Sequence, residues 1–364
     1  MDEPLPEVVA RLAPQVHHNC QLASALGSGR FSLCGLLLRL RNLYKWEAGL
    51  APWREEDSGR MLGWVSERED LWDEIADGDF QPLELAGESY DPFDHQAINR
   101  AIEPLGYIYG AGLAGGAVPV FFLGRLESRQ SALGLTVYRL GRELCQDIFL
   151  LPGLRQDGNI YLRSAPMPFL LWDRVADPTP SLAEFCRFGL AAYGLDRDRL
   201  TSQPSWQALE PVMRAEMDGV LWHELGEATD GALAAEMLAV VVADHPATEL
   251  EHFVRGVKDL LADTGPQGRL GRIIQAEHQG MLGLYPVWLA GFPRLLFPEI
   301  DPAVRRFMAS GDWELIEQAR QAGWQRAQDA VQRLTPLLAA ANGEQLRDQA
   351  HHEVIAPLTA KPQD

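Results

Sequence analysis

Leu105-Gly-Tyr-Ile-Tyr-Gly110-Ala-Gly-Leu-Ala-Gly115-Gly-Ala-Val-Pro-Val-Phe-Phe-Leu123 is the stretch on which the fold turns. Gly110, Gly112 and Gly115 spell G-x-G-x-x-G behind a strand-like run, the spacing of a dinucleotide-binding loop. That loop needs a helix opening at its third glycine, so that the helix N-terminus meets the pyrophosphate. Here the chain continues as Val118-Pro-Val-Phe-Phe, β-branched and aromatic with a proline inside, which reads as another strand. A glycine-rich hairpin turn is the better account. Leu133-Gly-Leu-Thr-Val-Tyr138 follows after a polar break, and the segment predicts a small antiparallel sheet of three strands near residues 104–163.

Outward from this sheet the spacing is helical. Leu33, Leu36, Leu37, Leu40 and Leu43 recur every three or four residues, and a second helix is expected over 58–75. Beyond 164, helices are expected over 181–193, 205–229, 231–244, 248–261, 270–284 and 312–341, the last with a kink or break at Pro336. Ser181 and Glu184 have the spacing of a capping box. The expected fold class is mainly α (α+β), with a helical region 1–103, the β region 104–163 and a C-terminal helical domain 164–358, or all three as one continuous globule.

Composition narrows the function classes. The 364 residues are 46% hydrophobic, enough for a packed core, and 51 acidic residues face 32 basic ones, a net charge of −19. Nucleic acid and anionic membrane surfaces attract basic proteins, so neither is an expected partner. No apolar run approaches the roughly 20 residues of a membrane helix. The acidic, proline-broken N-terminus lacks the pattern of a secretory signal. Cys20, Cys34, Cys145 and Cys186 form no C-x-x-C pair. A cytoplasmic protein with reduced thiols is the expectation.

The sharpest chemical cluster is Glu216-Met-Asp-Gly-Val-Leu-Trp-His223-Glu224-Leu-Gly-Glu227. At about 100° per helical residue, Glu216, His223 and Glu227 share one face. Imidazole nitrogen with carboxylate oxygens is a donor set for iron, manganese or zinc. A third ligand must come from another helix. His278, placed by the spacing in the middle of an apolar helix, is the first choice, because a buried charge there would need a partner. Glu216 or His252, the latter in Glu249-Leu-Glu-His252, would extend the shell. Glu224 is the acid/base candidate. His17-His18-Asn19-Cys20 with Cys34 fits no closed zinc spacing, and Asp94-His95 reads as a helix cap.

His223-Glu224-Leu-Gly-Glu227 resembles the H-E-x-x-H helix of zinc metallopeptidases, with Glu227 standing where their second histidine would be. The stretch from Phe31 to Trp53 resembles a segment of an uncharacterised bacterial protein family, a likeness that implies no activity. Two functions are therefore expected in competition. One is a cytoplasmic metal-dependent enzyme, a hydrolase or non-haem oxidoreductase acting on a small molecule, with its His/Glu site on helices 205–285. The other is a non-enzymatic acidic helical scaffold or regulator that binds a basic protein partner, with Leu315, Ile316, Ala319, Ala322 and Gly323 as the start of an interface stripe.

Overall fold

Val9, Leu12, Val16, Cys20 and Ala23 recur at helical spacing on α1 (Glu7–Ser28), and all five are fully buried. They pack on a sheet, in one core with Leu83, Ile98, Tyr109, Phe121 and Leu123. The computed structural model describes residues 4–114, 118–230, 232–340 and 343–360, and the chain divides into two units, Met1–Trp172 and Asp173–Asp364.

The first unit continues with α2 (Leu33–Glu47), α3 (Ser58–Ile75), a ribbon of β1 (Leu83–Leu85) and β2 (Glu88–Tyr90), and α4 (His95–Ile102). Five strands follow: β3 (Tyr107–Ala114), β4 (Val118–Ala132), β5 (Leu135–Gln146), β6 (Gly153–Gln156) and β7 (Asn159–Arg163). Their order is β3-β4-β5-β7-β6, antiparallel except for the parallel pair β5 and β7. The expected three antiparallel strands are thus corrected to five in a mixed sheet, with a further ribbon outside residues 104–163. The short β6 and β7 lack the long aromatic and β-branched runs that mark β3 to β5.

Beyond Gly112 the described residues continue in a second strand, β4, where a dinucleotide loop would open a helix. The expected hairpin turn falls on residues 115–117, outside the described residues. Ala114 pairs with Val118 across it. The glycines have a packing reason. A Cβ on Gly110 would lie 2.0 Å from the Phe122 ring, and one on Gly112 would lie 2.5 Å from Gln156 on β6. The sheet curls until its two edge strands approach, and only glycine leaves the room.

α1 and α4 share this core with the sheet, and the helical region 1–103 and the β region lie in one unit. The boundary falls inside α5 (Met167–Ala176), nine residues beyond the expected 163/164 division.

The second unit opens with α6 (Ala183–Ala191), α7 (Arg197–Ser202) and α8 (Trp206–Thr229). It continues with α9 (Ala232–Asp244), α10 (Glu249–Thr264), α11 (Arg269–Gln275) and α12 (Gln279–Trp288). The remainder is α13 (Gly291–Leu296), α14 (Ile300–Ser310), α15 (Trp313–Ala340), α16 (Gly343–Ala350) and α17 (Ala356–Thr359), with a π-turn at His351–Ile355. Three local expectations are corrected. The capping box does not form, because α6 begins after Leu182 and Glu184 is drawn into an ion pair with Arg305. α15 runs through Pro336 without a break. The helix expected over 270–284 is two helices, α11 and α12, parted at Glu277, whose φ is +47°. None of the four cysteines is in a disulfide, and no described helix is long and apolar enough to cross a membrane.

Candidate metal centre

α8 starts where the Ser205 hydroxyl accepts from the Ala208 N–H at 3.2 Å, and α10 where Thr248 accepts from Glu251 N–H at 3.3 Å. The two helices touch at Gly226. A Cβ there would stand 2.0 Å from the Ala262 carbonyl oxygen, so glycine is what lets α8 approach the α10 backbone. His223 and Glu227 flank this contact on α8, and Asp259 and Asp263 on α10. Both pairs have i, i+4 spacing, which puts each pair on one helix face.

His223, Glu227 and Asp259 each offer one ligand atom, and these atoms all lie within 4.8 Å of one another. That spread is close to twice a metal–ligand bond of about 2.0–2.3 Å. All three residues are partly exposed, so water reaches the cluster. His223 Nδ1 donates to Asp263 Oδ1 at 2.8 Å, which turns Nε2 towards Glu227 Oε1, 3.4 Å away. Asp263 therefore sits behind His223, holding the ring, as the carboxylate behind a metal-binding histidine does. Lys258 forms an ion pair with Glu227 from the side.

The charges are strongly coupled. Burial opposes the charged form of His223, but Asp263 and Glu227 outweigh it and raise its pKa well above the ordinary value. Burial also opposes the Glu227 charge; His223 and Lys258 outweigh it and hold that carboxyl below its usual range. At Asp259 burial wins. The cations His223 and Lys258 offset only part of it, and the carboxyl is pushed up to about 6.

Of the residues expected at this site, His223 and Glu227 come together and the others do not. His278 is corrected. It lies at the break between α11 and α12, not mid-helix, and its Nδ1 accepts from the Met281 N–H at 3.2 Å as the cap of α12. Its neighbour Glu277 is exposed, so the buried charge that singled out His278 does not exist. Glu216 is buried on α8 and ion-paired with Arg269 of α11, outside the three-residue cluster. His252 is exposed on α10. Glu224 is buried, about 100° round α8 from His223. The metallopeptidase likeness is not supported: the carboxylate of Glu227 stands in the place of the second histidine and pairs with Lys258. Cys20 is buried and donates to the Phe121 carbonyl, while Cys34 is exposed. Asp94 caps α4, as the reading of Asp94-His95 expects.

Asp259 and Asp263 escaped the sequence reading. Their i, i+4 spacing in Lys258-Asp-Leu-Leu-Ala-Asp263 was the available signal.

Residues 11–163 match the N-terminal domain of a family of unknown function, DUF6866, and residues 168–357 match its C-terminal domain. No curated protein and no solved structure matches the chain.

Proposed function

The chain belongs to the DUF6866 family, and we propose that its C-terminal domain carries a divalent-metal centre that serves hydrolysis of a small-molecule substrate. The observation that carries this reading is the Asp263–His223 hydrogen bond, because it aims Nε2 at the point that Glu227 and Asp259 also face. One nitrogen and two carboxylate oxygens suit iron, manganese or zinc, in a set that leaves coordination positions for water. When bound, such an ion lowers the pKa of its water and so supplies a nucleophile. The chain's own part is then positional. His223, Glu227 and Asp259 hold the ion, and Asp263 fixes the imidazole. Each of the three ligand residues is partly exposed, so water can reach the cluster, which supports a reaction that takes up water.

A second reading has one specific support. Lys258 already neutralises Glu227, so the same residues form an ion-pair seam between α8 and α10 of an acidic scaffold. Metal analysis of protein purified without added metal, followed by calorimetric titration with manganese and zinc, separates the two. About one equivalent of bound metal, lost in His223→Ala and in Asp259→Asn, is expected. Absence of binding in the folded native chain would favour the scaffold.

A further inference from the structure

The stripe on α15 is mostly spent on the core. Ile316, Ala319, Gly323, Ala327, Ala330 and Leu334 are buried, whereas Leu315 and Ala322 remain half-buried at the edge of a cavity of about 430 Å³. That cavity lies along the seam between α14 and α15. α14 and the turn before it contribute Glu299, Pro302, Ala303 and Arg306, at i, i+3, i+4 and i+7. α15 answers with Leu315, Gln318, Ala319 and Ala322 at the same spacing. Two helix faces in this register normally interdigitate. Here the alanines are too short to fill the seam, and it stays open.

The walls and the charge say what fits. Among the described residues no aromatic ring lines the seam, and proline, alanine and leucine give it slender aliphatic sides. Its volume is that of a small-molecule site. A protein partner would need on the order of 800 Å² on each side, far more than this slot offers. The protein as a whole carries −19, and the charged residues that line the seam are one carboxylate, Glu299, and one cation, Arg306. Glu299 is ion-paired with Arg326, and Arg305, beside Arg306, with Glu184. Arg306 is exposed and has no carboxylate partner among the described residues.

We propose that this seam binds a medium-chain alkyl carboxylate. Its chain lies between Leu315, Ala319 and Ala322 on one side and Pro302 and Ala303 on the other, and its carboxylate meets the Arg306 guanidinium. Guanidinium and carboxylate match in geometry as well as charge. The site is independent of the metal centre.

Calorimetric titration of the full chain with hexanoate, octanoate and decanoate, and with the matching alcohols, tests it. Saturable one-to-one binding is expected, strengthening about two- to fourfold per added methylene as apolar surface is covered. Arg306→Gln, on an exposed position, should weaken the carboxylates about five- to tenfold and leave the alcohols unchanged. Ala322→Phe, with its fold checked by circular dichroism, should block both series by filling the seam. No saturable binding, or carboxylate binding that Arg306→Gln leaves intact, overturns the proposal.

Discussion

An imidazole held between two carboxylates is a strong base, and that is the position of His223. Asp263 accepts a hydrogen bond from its Nδ1–H at 2.8 Å while Glu227 faces Nε2 at 3.4 Å. Nε2 can coordinate only after its own proton leaves. Above about pH 7, where Asp259 is already ionised, affinity for manganese or zinc is therefore expected to rise about tenfold per pH unit while the imidazolium predominates, with one proton released per ion. Calorimetry in buffers of different ionisation enthalpy counts that proton; an affinity flat between pH 6 and 8 would exclude His223 as a ligand. Asp263→Asn keeps the shape and removes the orienting charge. It should lower metal affinity about 10- to 100-fold with the helical circular-dichroism spectrum unchanged. Lys258→Met, which frees Glu227 of its cation, should raise affinity. His223 and Glu227 were legible at this scale because i, i+4 spacing marks a helix face. Asp259 and Asp263 carry the same mark, but spacing does not say which face another helix will meet.

For the helices, the decisive features are one contact and one break. Gly226 sets the α8–α10 distance, and Gly226→Ala would drive a methyl group into the Ala262 carbonyl. The expected cost is about 2 kcal/mol or more in denaturant unfolding, together with weakened metal binding as the two carboxylate faces part. A variant that binds metal normally would show that this contact does not position the centre. The break at Glu277 decides the role of His278. His278→Ala removes the α12 cap and should cost about 0.5–1 kcal/mol while leaving metal affinity unchanged. Loss of metal in that variant would restore His278 as a ligand. The apolar positions from Leu270 to Leu284 concealed the break, because Leu270 and Ile273 on one side and Met281, Leu282 and Leu284 on the other are buried, although the turn between them is exposed.

At the scale of the molecule, Asp147 is a fully buried carboxyl group outside the centre. Its carboxylate accepts from the Phe121 and Phe149 N–H groups, both at 2.9 Å, near the fully buried Arg163–Glu143 ion pair. Burial raises its pKa to about 6, with Arg163 and the two N–H groups offsetting only part of the effect. The folded state thus holds this proton more tightly than the unfolded chain does. Its contribution to stability is complete below about pH 4 and is lost as pH rises through 6, on the order of 2–3 kcal/mol. The stability of the native chain relative to Asp147→Asn should therefore fall between pH 4.5 and 7.5. A difference that does not change with pH would show that Asp147 is ionised throughout.

By itself the sequence determined that helix would dominate, that strands would gather around residues 104–163, and that one face of the 205–229 helix would carry His223 and Glu227. Those are local properties, set by side-chain period and by the geometry of a single element. Only the tertiary structure decided that Gly110 and Gly112 close a curled sheet, that Glu216 belongs to Arg269, and that Asp259 and Asp263 complete the candidate centre. Each of these depends on which faces meet across long separations in the chain. That choice belongs to packing, where a missing Cβ at Gly226 counts for as much as the ligands it brings together.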